Sequence, residues 1–213
     1  MTAFRSYAIV PAAGVSARMG SHKLLLPLGG RTVIERLLDS WRNSRATHTV
    51  VVVRCDDAEL IGRCLAIGVD VVVAAIAPPD MKASVELALG YVRERFDPSR
   101  QDAWLLAPAD LPRLATAAID AVLAAYDCGR PTAVAPTFGR ERGHPVLLPW
   151  SCCEGVSRLE PSEGVNALLK TVTVREIPWC DDSILRDLDT PGDFARVAES
   201  LNCTQTDSFS QVL

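Results

Sequence analysis

The residues of this chain that can do chemistry fall into two groups. The first is cationic and sits in a loop of small residues, Val10-Pro-Ala-Ala-Gly-Val-Ser-Ala-Arg-Met-Gly-Ser-His-Lys-Leu-Leu-Leu-Pro-Leu28. Ala12, Ala13, Gly14, Ser16 and Gly20 keep that backbone bare, so that successive N–H groups can approach an anion closely. Arg18 adds a planar fork suited to phosphate oxygens, and Lys23 adds a mobile point charge on a long stem. A polyphosphate is the ligand these features predict. The loop fits neither G-x-G-x-x-G nor G-x-x-x-x-G-K-[ST].

The second group is acidic. Asp110 lies in Ala107-Pro-Ala-Asp-Leu-Pro112, and Asp187 and Asp189 lie in Leu185-Arg-Asp-Leu-Asp-Thr-Pro191. In an extended segment Asp187 and Asp189 project to the same side, so one of them can meet Asp110 across a site. Two carboxylates beside a triphosphate suit Mg²⁺, which keeps several waters and bridges phosphate oxygens. His22 and His48 read as surface residues.

Positioning these groups requires alternating strands and helices, and the chain supplies them. Tyr7 to Pro11, Thr49 to Val53, Val69 to Ala74 and Trp104 to Ala107 are short apolar runs, which predicts strands, and Thr49 to Val53 is so uniformly apolar that both its faces should be covered. Between them, Thr32 to Ser44, Ala58 to Ala66 and Ser84 to Phe96 carry apolar residues at helical spacing. Ser84 stands at the start of its helix, as N-cap or as a ligand contact. A helix from Leu114 to Tyr126 follows. Thr132 to Ala135 and Val146 to Leu148 are then expected as antiparallel strands joined around Gly139 to Gly143. Glu163 to Lys170 reads as a short helix, Val172 to Ile177 as a strand, and Thr190 to Leu201 as a closing helix with a well-signalled start. The pattern implies an α/β fold with a mainly parallel sheet and function at the carboxyl ends of its strands. A domain over residues 1–201 and a flexible tail over 202–213 are expected.

Composition narrows the function. The chain has 213 residues, 48% of them hydrophobic, enough for the core of one domain. A net charge of −4 argues against nucleic acid or an anionic membrane as partner. The longest apolar run, Val71 to Ala77, is far short of the ~20 residues of a membrane span, and Met1 to Tyr7 lacks a signal-peptide core. Seven cysteines without a C-x-x-C pair predict reduced thiols and a cytoplasmic protein.

The run A-A-G-x-S-x-R-M-G-x-x-K-L-L from Ala12 to Leu25 resembles the signature loop of the MobA-like nucleotidyltransferases. Further segments are similar to that family over nearly the whole chain: Met81-Lys-Ala-Ser-Val, Ala107-Pro-Ala-Asp-Leu-Pro, Arg142-Gly-His-Pro-Val-Leu-Leu148 and Asp187-Leu-Asp-Thr-Pro-Gly-Asp. The resemblance implies a three-layer α/β/α Rossmann-like fold of the GT-A type. It implies Arg18, Lys23 and Asp110 as catalytic residues, and a nucleotide site of Ala12, Ala13, Gly14, Ser16, Arg18, Lys23, Ser84 and Pro108. Mg²⁺ or Mn²⁺ would be held by Asp110 with Asp187 or Asp189. The acceptor would meet Arg142, Gly143 and His144, although His144 reads equally as a structural imidazole holding a hairpin.

Within the family, Arg142-Gly-His-Pro is typical of the molybdenum-cofactor cytidylyltransferase branch, and Ala-Ala-Gly is the form of pyrimidine-using relatives. The expected reaction is therefore transfer of CMP from CTP to the phosphate of molybdopterin with release of pyrophosphate. A molybdoenzyme or its chaperone is the protein partner this implies. The chain departs from that branch at Ser162 and Asn166, where an acid and an arginine are usual, and Lys82 and Glu86 stand where small or neutral residues are ordinary. Two other readings follow from these departures. One is a cytidylyl- or uridylyltransferase acting on a sugar or polyol phosphate. The other is a non-catalytic nucleotide-binding accessory protein.

Overall fold

The computed structural model describes residues 4–14, 22–160 and 162–209, with side chains as far as Leu201. Its main sheet begins with β1 (Ser6–Pro11), β4 (His48–Arg54), β5 (Asp70–Ala74) and β6 (Ala103–Leu106), all parallel. Along these strands successive residues face opposite ways, as extended geometry dictates. Ala8, Val10, Val51 and Val53 enter one core, while Tyr7, Ile9, Val50 and Val52 enter the other.

Helices cover both faces. On the first lie α1 (Val33–Arg42), α2 (Ala58–Ile67), α4 (Thr116–Ala125) and α6 (Pro191–Phe209), which bring Leu37, Trp41, Leu60, Ile119 and Val197 to the core. On the second lie α3 (Met81–Phe96) and the short α5 (Cys153–Ser157), which supply Val85, Ala88, Val92 and Val156. Side chains of this size, wholly buried, stabilise by about 1.5–3 kcal/mol each. Helix starts follow local chemistry. Thr32 and Glu35 form a capping box on α1, and Asp57 caps α2 by accepting from Leu60 N–H. α6 opens with Thr190 donating to the Asp193 carboxylate from both N–H and hydroxyl, at 2.7 Å each. It runs on past Leu201 to Phe209.

The remaining strands are β7 (Ala133–Phe138), β8 (Glu141–Arg142), β9 (Val146–Pro149) and β10 (Val174–Pro178), in a sheet ordered β10-β7-β9-β6-β1-β4-β5 with β8 on β7. β9 runs antiparallel to both neighbours, so the sheet is parallel on one side and mixed on the other. A separate ribbon of β2 (Pro27–Leu28) and β3 (Arg31–Thr32) turns at Gly29 and Gly30, whose φ values of 58° and 80° suit a type I′ hairpin. The segment expected as a helix from Glu163 is a 3-10 turn over Val165–Lys170.

The chain goes from β1 through α1 to β4 and β5, then returns across the other face through α3 to β6 on the far side of β1. That reversal is a topological switch point, and the crevice at the strand carboxyl ends there is where ligands of such sheets bind.

Candidate nucleotidyl-transfer site

A cleft of about 560 Å³ opens at that switch point. Three strand ends build its walls. From the end of β1 come Pro11, Ala12, Ala13 and Gly14; past β5 come Ala77 to Asp80; past β6 come Pro108, Ala109 and Asp110. Ala12 stays in register by donating to Val52 O at 2.9 Å. Gly14 is exposed, and a Cβ there would meet nothing within 4 Å among the described residues.

The charged end is built by three segments. Lys23 starts a 3-10 turn, Lys23–Leu25, anchored by the buried Leu24. Its Nζ donates to Asp110 Oδ2 at 2.5 Å and to Asp189 Oδ1 at 3.4 Å. Burial works against the ammonium, yet the hydrogen bond and charge of Asp110, with those of Asp189, prevail and raise its pKa. Lys23 is therefore charged at neutral pH. Asp110 Oδ1 is buried without a hydrogen-bond partner among the described residues. Asp187 and Asp189 both line the cleft and Leu188 between them is fully buried, so the alternation of an extended segment holds. No strand forms there; one bond from Leu188 N–H to Asp110 O, 3.1 Å, ties the segment to the Asp110 loop. Desolvation, then the charges of Asp110 and Asp189, raise the pKa of Asp187.

Among the described residues that line the opposite end there is no cation. Ala77, Pro78, Pro79 and Met81 form it together with the buried Ser84, whose hydroxyl donates to Asp80 O at 3.4 Å. Ser84 is not the N-cap of α3. Asp80 is, accepting from Ala83 N–H at 2.8 Å, so the helix begins a turn earlier than its apolar periodicity indicates and Ser84 is left to face the cleft.

Of the residues expected from sequence, Ala12, Ala13, Gly14, Lys23, Ser84, Pro108, Asp110, Asp187 and Asp189 meet in this cleft. Ser16, Gly20 and Arg18 lie outside the described residues. Arg142, Gly143 and His144 are not among the cleft-lining residues. Arg142 is exposed and donates to Glu176 of β10 at 2.7 Å. Gly143 packs against Ile184, and His144 Nδ1–H donates to Leu106 O at 3.2 Å. Burial lowers the pKa of His144, outweighing the Leu106 carbonyl and the charge of Asp110. His22 and His48 are not plain surface residues. His22 Nε2 pairs with Asp57, and the His48 ring stacks on Phe96 with centroids 4.0 Å apart. Asp80 and the Ala77 to Pro79 wall were not anticipated as site residues, although an acid after Pro78-Pro79 and three residues before Ala83 is a visible capping signal.

Among the described residues no group of three or more His, Cys, Asp or Glu side chains is arranged to hold a metal ion by itself. The donor set still fits a hard cation. Mg²⁺ commonly takes one or two carboxylates and completes its shell with water and substrate phosphates, and the unpartnered Asp110 Oδ1 is an oxygen of that kind.

A switch-point cleft with bare backbone on one wall and a lysine among carboxylates on the other defines a nucleotide-handling transferase of the three-layer α/β type. Comparison with known proteins gives the family. The MobA-like NTP transferase domain matches residues 8–177, and the chain belongs to that family of nucleotidyltransferases. It is 26% identical to Rv0371c from Mycobacterium tuberculosis H37Rv, with 93% of this chain and 100% of that one covered and a TM-score of 0.77. Rv0371c has also been solved in complex with manganese, and that structure covers 92% of this chain and 99% of its own at 24% identity and a TM-score of 0.72. The fold is shared with 4-diphosphocytidyl-2C-methyl-D-erythritol synthase from Anaerococcus prevotii DSM 20548, at 17% identity, 93% and 99% coverage and a TM-score of 0.68. Comparison with curated proteins returns no match. No helix of the described residues is long and apolar enough to cross a membrane.

Proposed function

We propose that the protein transfers a pyrimidine nucleotidyl group, CMP from CTP in the first instance, to the phosphate of a small sugar or polyol phosphate, with release of pyrophosphate. The observation that carries this reading is the pairing of Lys23 with Asp110 and Asp189 at the head of a cleft whose other wall is bare backbone. A phosphate oxygen of the acceptor attacks the α-phosphorus in line with the departing pyrophosphate; the new P–O bond forms as the bond to the β-phosphate oxygen breaks. That nucleophile is already ionised near neutrality, so no general base is needed. Positioning and charge stabilisation remain as the protein's task.

In this reading Lys23, with Arg18, neutralises the triphosphate, and the N–H groups of Ala13 and Gly14 cradle its oxygens, that of Ala12 being held by Val52 O. Ser84 and the Pro78-Pro79 wall hold the nucleoside end. Asp110, with Asp187 or Asp189, would hold Mg²⁺ or Mn²⁺, which when bound supplies positive charge to the phosphate oxygens. The solution of Rv0371c in complex with manganese supports the use of a divalent metal.

Molybdopterin as the acceptor is a second reading, favoured by Arg142-Gly-His-Pro. Against it stand Ser162 and Asn166, and the engagement of Arg142 with Glu176 away from the cleft. The deciding experiment is pyrophosphate release with CTP, UTP and GTP in Mg²⁺ or Mn²⁺, using 2C-methyl-D-erythritol 4-phosphate, a panel of sugar phosphates, and molybdopterin. Release with CTP or UTP and a small phosphate is the expected result. Release with molybdopterin alone would select the second reading, and nucleotide binding without release would select a non-catalytic protein.

A further inference from the structure

We propose that Gly143 and His144 form a brace that sets the distance between the two acidic segments of the cleft, with His144 a positioning residue for those acids and not a contact for the acceptor. The inference rests on the nucleotidyl-transfer reading above.

The acids come from unequal supports. Asp110 follows β6, which is hydrogen-bonded to strands on both sides. Asp187 and Asp189 lie in an irregular segment after the 3-10 turn Asp182–Ile184, where no strand ladder fixes the backbone. Three contacts join the two directly: Leu188 N–H to Asp110 O, Lys23 between Asp110 and Asp189, and Arg113 to Asp182 at 3.0 Å; residues 143 and 144 add a backbone-anchored connection from β6 and β7 to the turn before Asp187. His144 N–H donates to Ile184 O at 2.8 Å, holding the turn that leads to Asp187. The His144 ring reaches the other way, donating from Nδ1 to the carbonyl of Leu106, the last residue of β6. Gly143 N–H donates to Pro136 O of β7 at 2.8 Å, so the dipeptide is itself pinned to the sheet.

The glycine is needed for the same purpose. A Cβ on Gly143 would lie 2.6 Å from Ile184 O and 2.7 Å from Ile184 Cγ1. Backbone cannot yield cheaply at that distance, so a side chain there would push the 182–189 segment away from β6. One residue therefore sets how close the segment can come, and the next holds it there. Second-layer groups of this kind, which orient ligands without touching the ion, change metal affinity by about 10- to 100-fold when removed.

The test uses the full chain and two titrations. In the first, Mn²⁺ is titrated into protein saturated with CTP whose α–β bridging oxygen is replaced by CH₂; in the second, the same analogue is titrated in EDTA. His144→Phe, which keeps a ring and loses the donor, should weaken Mn²⁺ binding by about 10-fold or more and leave analogue binding in EDTA unchanged. His144→Asn, whose side-chain N–H can reach the Leu106 carbonyl, should recover most of the loss. Gly143→Ala should weaken Mn²⁺ binding although it removes no polar group; should it fail to fold, the His144 pair decides alone. Unchanged Mn²⁺ affinity in His144→Phe would overturn the brace, and with lost turnover would return His144 to the acceptor. Absence of analogue and Mn²⁺ binding in the wild-type protein would instead overturn the nucleotidyl-transfer reading, and the brace with it.

Discussion

β6 has an aspartate beyond each end, and the two are treated in opposite ways. Asp102, just before the strand, is buried and fully engaged: its carboxylate accepts from Arg5 N–H at 2.8 Å, Ser99 N–H at 2.8 Å and the Arg5 guanidinium at 2.9 Å. Asp110, past the other end, has one oxygen on Lys23 and one buried with no partner among the described residues. Burial opposes ionisation at Asp102, but those N–H groups and the guanidinium overcome it and lower its pKa. A carboxylate satisfied on every side is a structural anchor. One left short of partners among the described residues, in the wall of a cleft, is the candidate to receive a ligand.

The comparison breaks first on activity. Asp110→Ala should lower turnover on the order of 10³-fold while the protein still folds, with only a modest fall in melting temperature, because the change breaks the pair with Lys23 but leaves Asp189 to accept from it. Pyrophosphate release and melting, measured on one preparation, check both halves; an unfolded variant would make Asp110 an anchor like Asp102. Lys23→Ala follows, with kcat/KM for CTP expected to fall on the order of 10²-fold. Its raised pKa means that its contribution to stability is complete at neutral pH and is lost only as pH rises through that value, above 10.5. The variant should therefore melt lower than wild type at pH 7, with the gap closing in strong alkali.

Asp102→Ala should do the reverse of Asp110→Ala. Truncation leaves two backbone donors and a half-exposed arginine without their acceptor, a loss of about 3 kcal/mol, with turnover per folded molecule unchanged. Because the folded-state pKa is lowered, this stability is present above the ordinary value of 3.8 and disappears as pH falls through the lowered one. Denaturation of wild type and variant should converge in acid. Persistence of the full gap there would remove the charge from the account and leave only packing.

Sequence reading reached these two aspartates unequally, for physical reasons. The Trp104 to Ala107 run reads as a buried strand and β6 is one, so the placing of Asp110 at a strand's carboxyl end followed. The alternation about Leu188 placed Asp187 and Asp189 together even though no strand forms, since extended backbone alternates whether or not it is paired. What escaped were contacts between distant segments. Nothing local to Arg142 shows that Glu176 will face it from β10, nothing near His22 points to Asp57, and Asp102 gave no sign that Arg5 would close on it. At α3 the apolar spacing starts at Val85 because the first turn faces the cleft; the helix start was therefore placed at Ser84, and Asp80, which does cap it, was passed over.

The smallest effect is expected at Asp187, and it tells the two carboxylates of the last segment apart. As a whole residue Asp187 is exposed, yet its carboxyl borders the cleft, and desolvation with the charges of Asp110 and Asp189 raises its pKa. A raised carboxyl pKa means that the folded state holds the proton longer than the unfolded state, so stability falls as pH rises from 3.8 through the raised value and stays lower above it. In EDTA, Asp187→Asn should then melt slightly higher than wild type at pH 7, by well under about 1 kcal/mol once solvent screening is allowed for, and no higher below pH 3.8. Adding Mn²⁺ with CTP reverses the sign if Asp187 is a metal ligand: wild type gains stability by mass action and Asp187→Asn does not. Equal gains in both would assign the ion to Asp110 with Asp189, the carboxylate that Lys23 already touches, and would leave Asp187 as the acid whose repulsion of its two neighbours the bound cation relieves.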